Sequence, residues 1–415
     1  RAASAQTDQN RAASARDTRG PLHGLPLVVK DLANAAGLPT SRGSPLFADQ
    51  IAAKDDIHIA RLRAAGAIVI GKSNVPEFGL GSHSVNPVFG VTRNPYDPNV
   101  TAGGSSGGAA VALATGMAAL ADGSDMMGSL RNPAGWCGIY SLRPSYGLVP
   151  DEPLGDTFLH QLATNGPMGR SPADVALMLS VMAGPDPRQP NDAGSFTTEP
   201  LRPAQISGMR IGWLADWGGA YPMEDGVLAQ CRIGLERFEQ MGAIVEPVEP
   251  PFSAKRLWDA WNVLRSWAVA AGYGPLLAMP ESRKFIKEEA IWEAEKGAAL
   301  SALDVHAAST IRSDWFAKAT VLLQDYDALV LPTAQCWPFP VEWSWPREIA
   351  GIKMDSYHRW MEAMIPVSLI GLPAVTLPAG LGAAGLPMGL QMFGPRGADK
   401  RLLQMAQSYH GLMPV

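Results

Sequence analysis

Glycines surround a pair of serines in the segment Gly103–Gly108, which reads GGSSGG. Four glycines in six residues disfavour a helix or strand interior, because glycine loses the most conformational freedom on ordering. The residues that follow, Ala109–Leu120, are small and apolar, which predicts a helix beginning directly after the loop. The segment is therefore predicted to be a tight turn that holds two serine side chains at the start of a helix.

Short apolar runs alternate with amphipathic patterns along most of the chain. Strands are predicted over Leu25–Val29, Ala67–Gly71, Met209–Leu214, Ala243–Val248, Asp327–Leu331, Pro373–Pro378 and Met388–Phe393. Helices are predicted over Asp56–Ala65, Gly226–Met241 and Asp399–His410, with a mostly helical excursion over residues 254–325. This alternation favours an α/β protein in which helices cover a sheet. No linker divides the sequence, so a single domain over residues 1–415 is predicted.

Composition and charge disfavour several classes of protein. A formal net charge of −5, a pI near 5.8 and scattered basic residues argue against a nucleic-acid partner. Three widely spaced cysteines argue against a disulfide framework or a structural zinc site, which fits a reducing compartment. No apolar run reaches the roughly 20 residues of a membrane span. The cytoplasm is the default location, although a leader upstream of Arg1 stays an open alternative.

A serine and a lysine stand out in two further segments. The run Gly123–Ala134, GSDMMGSLRNPA, carries Ser129, and the apolar run before Lys30 is typical of a buried strand. A serine hydroxyl becomes an effective nucleophile when a base takes its proton. Lysine can be that base when burial lowers its pKa, and a strand position would bury Lys30 while directing Asp31 to the opposite face.

These segments together resemble the amidase signature family. Lys30, the GGSSGG run, the run Gly123–Ala134 and the later Gly371–Ala374 occur in the family's order, and Asn74–Phe78 is a further family-like stretch. The resemblance covers nearly the whole chain and is weakest from about residue 254 to residue 325. It implies a single-domain α/β fold with a large, mixed, twisted β-sheet between helical layers.

The resemblance also implies catalytic roles. Ser129 would be the nucleophile, Lys30 the base, and Ser105, on an unusual cis peptide bond, the serine that relays protons between them. Ser106 would help to orient this network. Neither a metal nor another cofactor is implied.

The family's oxyanion hole maps onto the turn that ends at Ser129. Its donors would be the backbone N–H groups of Met126, Met127, Gly128 and Ser129, while Asp125 and Arg131 would brace the turn. Most family members have two glycines before the nucleophile, whereas this chain has Met127 and Gly128. Methionine rarely adopts a positive φ, so residue 127 is expected in an ordinary backbone region or under strain.

Three apolar stretches are predicted to form the walls of the substrate pocket. They are Phe78–Gly81, which contains Gly79 and Leu80, the pair Met126–Met127, and Cys336–Phe339, which contains Trp337. None of them carries a charged side chain. A small, neutral, hydrophobic substrate is therefore predicted: an aryl amide, an anilide, or a carbamate or ester of similar shape.

Other interpretations of the same residues are weaker. Gly103–Gly107 also satisfies the G-x-S-x-G pattern of α/β-hydrolases, but the turn-like sequence Asn94–Asn99 precedes it instead of a buried strand. A phosphate-binding loop lacks its Gly-Lys-Ser/Thr ending at this position.

Two rivals to an amide hydrolase follow from the same resemblance. One belongs to a glutamine-dependent tRNA amidotransferase, in which the chain would need partner subunits and would pass ammonia to an acylated tRNA. The other is a non-catalytic relative, in which Ser129 would not be labelled by serine reagents. A homodimer stays open, and no membrane or nucleic-acid partner is expected for the hydrolase.

Overall fold

A computed structural model describes residues 19–197 and 200–413. The strands are β1 (Pro26–Lys30), β2 (Ile68–Ser73), β3 (Val85–Asn86), β4 (Gly90–Val91), β5 (Leu120–Asp125), β6 (Tyr140–Arg143), β7 (Thr164–Gly169), β8 (Arg210–Trp213), β9 (Ile244–Pro247), β10 (Ala328–Pro332), β11 (Glu348–Ile349), β12 (Ile352–Lys353), β13 (Ala374–Leu381) and β14 (Pro387–Phe393).

The α-helices are α1 (Ile57–Ala64), α2 (Gly107–Ala114), α3 (Arg131–Trp136), α4 (Pro172–Met182), α5 (Val227–Gln240), α6 (Ala254–Leu277), α7 (Pro280–Arg283), α8 (Glu288–Ala298), α9 (Ala302–Leu322), α10 (Ile365–Ile370) and α11 (Asp399–His410). Single 3₁₀ segments occur at Pro45–Phe47, Glu77–Gly79 and Arg359–Met364.

Ten strands form one mixed sheet in the order β2-β1-β5-β7-β6-β13-β14-β10-β8-β9. The pairs at its two ends are parallel: β2 with β1, β1 with β5, β10 with β8 and β8 with β9. The five pairs from β5 to β10 are antiparallel. The mixed sheet confirms the predicted α/β fold.

Helices bury both faces of the centre of this sheet. Every residue of β14 is buried, although successive side chains of a strand point to opposite faces. Strands β6 and β10 are buried in the same way. This two-sided burial explains why β10 is a continuous apolar run, whereas β6 buries the polar side chains of Ser141 and Arg143, which have hydrogen-bond partners.

The segment after the glycine-rich loop differs from its predicted form. Helix α2 ends at Ala114, and the strand β5 begins at Leu120, so the predicted helix Ala109–Leu120 is too long. Strand β5 was not predicted, because it contains Gly123 and two aspartates, which are rare in strands. Both aspartates have partners: Asp122 accepts a hydrogen bond from the Lys30 backbone N–H at 2.6 Å, and Asp125 binds two arginines described below.

The four helices α6–α9 lie between β9 and β10 in the chain. Helix α6 begins at the cap Ser253, and a capping box of Ser301 and Asp304 starts α9. Helices α6 and α8 approach closely at Gly297, where an added Cβ would lie 1.9 Å from the Ser266 carbonyl oxygen. Only glycine fits at this contact.

The cysteines Cys137, Cys231 and Cys336 are buried and form no disulfide. Burial raises the pKa of each thiol. Across the two described ranges, none of the helices has the length and apolar character needed to span a membrane.

Substituting Gly297→Ala should lower the free energy of unfolding by about 1–3 kcal/mol, because its methyl group would overlap backbone atoms of α6. Gly272→Ala is the matched control, since Gly272 is exposed on α6 and an added Cβ meets no atom within 4 Å. That control should be neutral or stabilising by up to about 1 kcal/mol. Urea denaturation measures both, and equal effects would contradict the close contact.

Candidate active site

The side chain of Lys30 reaches a cluster of hydroxyl groups from the last position of β1. Lys30 is 1% exposed, and its Nζ lies 2.9 Å from Ser105 Oγ and 2.8 Å from Ser106 Oγ. Nζ also lies 3.0 Å from the Oγ and 3.1 Å from the carbonyl oxygen of Ser124. Asp31 does not join this cluster and instead pairs with Lys72 at 3.3 Å.

Burial lowers the pKa of the Lys30 amine to about 7, because the ammonium form loses its hydration inside the protein. The negative charges of Asp122 and Asp125 raise the pKa and offset part of this effect. This places the pKa close to physiological pH, where the neutral amine is available. A neutral amine that already contacts a serine hydroxyl can accept its proton.

Close contacts explain the glycines around Ser105. An added Cβ at Gly107 would lie 2.4 Å from Ser84 Oγ, and one at Gly108 would lie 2.3 Å from the Asn74 backbone nitrogen. The peptide bond between Gly104 and Ser105 is cis, as the resemblance implied. Ser106 occupies the position before the first residue of α2, so the loop leads directly into this helix.

Ser129 lies in the turn between β5 and α3, with 8% of its surface exposed. Ser105 and Ser129 both line one pocket of about 570 Å³. The two segments are joined where the Ser106 N–H donates to the Ser129 carbonyl oxygen at 3.2 Å. The structure thus brings the predicted lysine and serines to one site.

The turn before Ser129 differs in part from the predicted oxyanion hole. Gly128 has a φ of +87°, whereas the φ of Met127 is not positive. The Gly128 N–H donates to Asp125 Oδ1 at 2.8 Å, so this amide already has an acceptor, unlike the free oxyanion donor that the resemblance implied. The carboxylate requires that donor because it is fully buried. The amides of Met126, Met127 and Ser129 have no acceptor among the described residues.

The carboxylate of Asp125 braces this turn, together with two buried arginines. Arg131 Nε donates to its Oδ2 at 2.9 Å, and Arg143 Nη1 lies 3.1 Å from its Oδ1. Burial alone would raise the pKa of Asp125, but the charges of Arg131 and Arg143 outweigh it and hold the pKa well below its ordinary value. Asp125 therefore stays ionised.

Three residues of this site were missed by the sequence analysis. Asp122 and Ser124 share one face of the unpredicted strand β5, and both contact Lys30. Arg143 ends β6 and binds Asp125 from another part of the sheet. The two-residue spacing of Asp122 and Ser124 could have indicated two polar side chains on one face of a strand. The sequence near Arg143 gave no indication of its role.

Two of the three predicted wall segments line the pocket. Gly79 and Leu80 lie there with their neighbours, as do Met126 and Met127. Trp337 does not line it, which corrects the third segment. Its indole N–H donates to the Asp225 carbonyl oxygen at 3.0 Å, and its backbone N–H donates to Glu224. These two bonds hold Trp337 against the segment before α5.

Charged and titratable side chains also line the pocket, from segments that the sequence analysis did not assign to it. They are Arg42, Asp156, His160 and Arg265. Within the described residues, no group of three or more His, Cys, Asp or Glu side chains could hold a metal ion.

Known proteins share both this sequence and this fold. The family model described as Amidase matches residues 1–403. An acylamidase of Rhodococcus erythropolis is 34% identical over 98% of this chain and 84% of its own length. A glutamyl-tRNA(Gln) amidotransferase subunit of Symbiobacterium thermophilum is 35% identical over 94% of this chain and 83% of its own length.

A solved structure of a bacterial aryl acylamidase of the amidase signature family superposes with a TM-score of 0.88. It is 27% identical and covers 97% of this chain and 85% of that protein. The site and these similarities agree, and this chain belongs to the amidase family, whose members hydrolyse amide C–N bonds.

Proposed function

We propose that this amidase cleaves neutral, hydrophobic amides through an acyl-enzyme on Ser129, with Ser105 and Lys30 as its proton relay. The observation that carries the proposal is the contact of 2.9 Å between Ser105 Oγ and a buried amine whose pKa is about 7. An amine of ordinary pKa would be protonated at neutral pH and could not accept the proton.

In the first step Ser129 Oγ attacks the amide carbon. Its proton passes to Ser105 Oγ while the Ser105 proton passes to Lys30 Nζ, so the net transfer is from Ser129 to Lys30. The carbonyl π electrons move to oxygen, and the N–H groups of Met126, Met127 and Ser129 are the donors that would stabilise this oxyanion.

In the second step the C–N bond breaks and the carbonyl re-forms. The proton on Lys30 returns through Ser105 to the departing nitrogen, which leaves as a neutral amine. Water then attacks the ester on Ser129, giving its proton to the same relay. The second tetrahedral adduct then collapses: its C–O bond to Ser129 breaks, the proton on Lys30 returns through Ser105 to Ser129 Oγ, and the carboxylic acid is released. Esters and carbamates can follow the same sequence.

The pocket lining supports a hydrophobic substrate. Phe78, Leu80, Val269 and Tyr273 line it together with both methionines of the turn. Phe78 and Tyr273 pack with their ring centroids 4.7 Å apart, which gives the pocket an aromatic wall. Such a wall favours flat, apolar groups over small charged amides.

Glutamine hydrolysis within an amidotransferase is the second candidate. It is supported by relatives such as the Symbiobacterium thermophilum protein, and by Arg42, a basic residue that lines the pocket. Arg42 could pair with the glutamine carboxylate, and Asp156 with its ammonium group.

Substituting Ser129→Ala should abolish hydrolysis and labelling by a serine-directed phosphonate, because no nucleophile remains. Lys30→Ala should slow amide hydrolysis by about 10²- to 10⁴-fold and slow activated esters less, because their leaving groups need no proton. Mass spectrometry and steady-state kinetics measure these effects, and circular dichroism checks the fold. Ser180→Ala, on helix α4, is the matched control and should keep the label. Labelling that survives in Ser129→Ala would contradict the assignment.

The rate of amide hydrolysis should rise with pH through a midpoint near 7. The reason is that Lys30 accepts a proton only as the neutral amine, so kcat/KM should fall about tenfold per pH unit below that value. Asp122→Asn should move the midpoint to lower pH, because the Asp122 charge raises the Lys30 pKa. His160 also lines the pocket, but burial lowers its pKa from 6.5, so it titrates below this midpoint. A constant rate between pH 5 and pH 9 would contradict the lysine base.

A neutral anilide should be preferred to glutamine by at least about tenfold in kcat/KM, equivalent to about 1.4 kcal/mol. Leu80→Gly should shift preference toward bulkier anilides, since Leu80 lines the pocket. Trp337→Ala, outside the pocket, should leave the ratio unchanged. A tenfold preference for glutamine that is lost in Arg42→Ala would instead support the amidotransferase candidate.

A further inference from the structure

Arg265 of helix α6 lines the substrate pocket although only 3% of it is exposed. One edge of its guanidinium is fixed by a closed set of hydrogen bonds. Its Nε donates to Glu293 Oε1 at 2.6 Å, and its Nη2 donates to Tyr357 Oη at 2.6 Å. Tyr357 Oη donates in turn to Glu293 Oε2 at 2.6 Å.

The remaining nitrogen, Nη1, carries two N–H bonds but lacks a strong acceptor. Its one hydrogen-bond contact in the described part of the chain is Met126 Sδ, at 3.6 Å, and thioether sulfur is a weak acceptor. Met126 lines the pocket, whereas Glu293 and Tyr357 do not. Nη1 is therefore the part of the guanidinium that faces the pocket.

We propose that Nη1 of Arg265 is a hydrogen-bonding subsite for an uncharged oxygen of the substrate, located away from the amide that is cleaved. This inference rests on the proposed function and narrows its substrate class. The substrate would be a hydrophobic amide with a second neutral acceptor, such as a ketone or a further amide carbonyl.

The charge around Arg265 favours an uncharged acceptor over a carboxylate. Glu293 already neutralises the guanidinium, at distances of 2.6 and 3.3 Å. A second carboxylate would leave a net negative charge in a buried place, which is costly. A neutral oxygen satisfies the N–H and adds no charge.

The test uses two series of acyl anilides of equal chain length. In one series a ketone replaces a methylene group at successive positions beyond the scissile carbonyl, and in the other a carboxylate ends the chain. The wild-type enzyme should favour the ketone at one position by at least about tenfold in kcat/KM over the hydrocarbon.

Two variants remove the subsite in different ways. Arg265→Lys keeps a cation for Glu293 but lacks a second nitrogen in the position of Nη1. The double variant Arg265→Met with Glu293→Met removes both charges, so that neither is left unpaired. The ratio of ketone to hydrocarbon should fall to near one in both. Tyr357→Phe keeps the Arg265–Glu293 pair and should keep the preference.

The outcomes separate this inference from the proposed function. Hydrolysis of the anilides with no ketone preference at any position, or a preference that survives in both Arg265 variants, would overturn the subsite alone. A preference for the carboxylate series that depends on Arg265 would overturn the inference that the subsite binds an uncharged oxygen. Failure of the wild-type enzyme to cleave any anilide would overturn the proposed function itself.

Discussion

The turn that presents Ser129 depends on one buried carboxylate. Asp125 accepts hydrogen bonds from Arg131 and Arg143 and from the backbone N–H groups of Gly128 and Leu130. A buried charge is tolerated only when it is paired and hydrogen-bonded, so these partners hold each other in place. The result joins β5, β6 and the start of α3 at the point where the nucleophile emerges.

Lys30 is buried as deeply, but its environment has the opposite effect. Its nearest polar neighbours are three serines, which offer hydroxyl oxygens and no formal charge. The amine therefore loses hydration without gaining a contacting carboxylate, and its pKa falls. Within one small region the fold thus keeps Asp125 charged and lets Lys30 become neutral, through the choice of partner alone.

Local sequence predicted the parts of this site that depend on local conformation. The glycine-rich loop, the buried strand before Lys30 and most of the elements from Met209 onward were found near their predicted positions. Apolar periodicity and glycine clusters indicate the local backbone conformation, which residues close in sequence largely determine.

What the sequence did not predict depends on distant partners. Strand β5 contains residues that disfavour strands, and it is stable because Lys30, Arg131 and Arg143 satisfy its aspartates. The Gly128 N–H donates to Asp125, and the Trp337 indole N–H donates to the Asp225 carbonyl oxygen. Neither hydrogen bond could be predicted from the local sequence pattern. Arg265 lines the pocket from helix α6, and the sequence of that helix did not indicate that one of its residues would reach the site.

The arginine that braces the nucleophile turn also ties it to helix α10 and to the central strand β14. Arg131 Nη2 donates to Ser368 Oγ at 2.6 Å, and its Nη1 donates to the amide oxygen of Gln391. These partners lie more than 230 residues further along the chain. During synthesis on a ribosome, the serine turn would emerge long before its last supports. The nascent chain would therefore gain the last braces of this turn only after strand β14 is made.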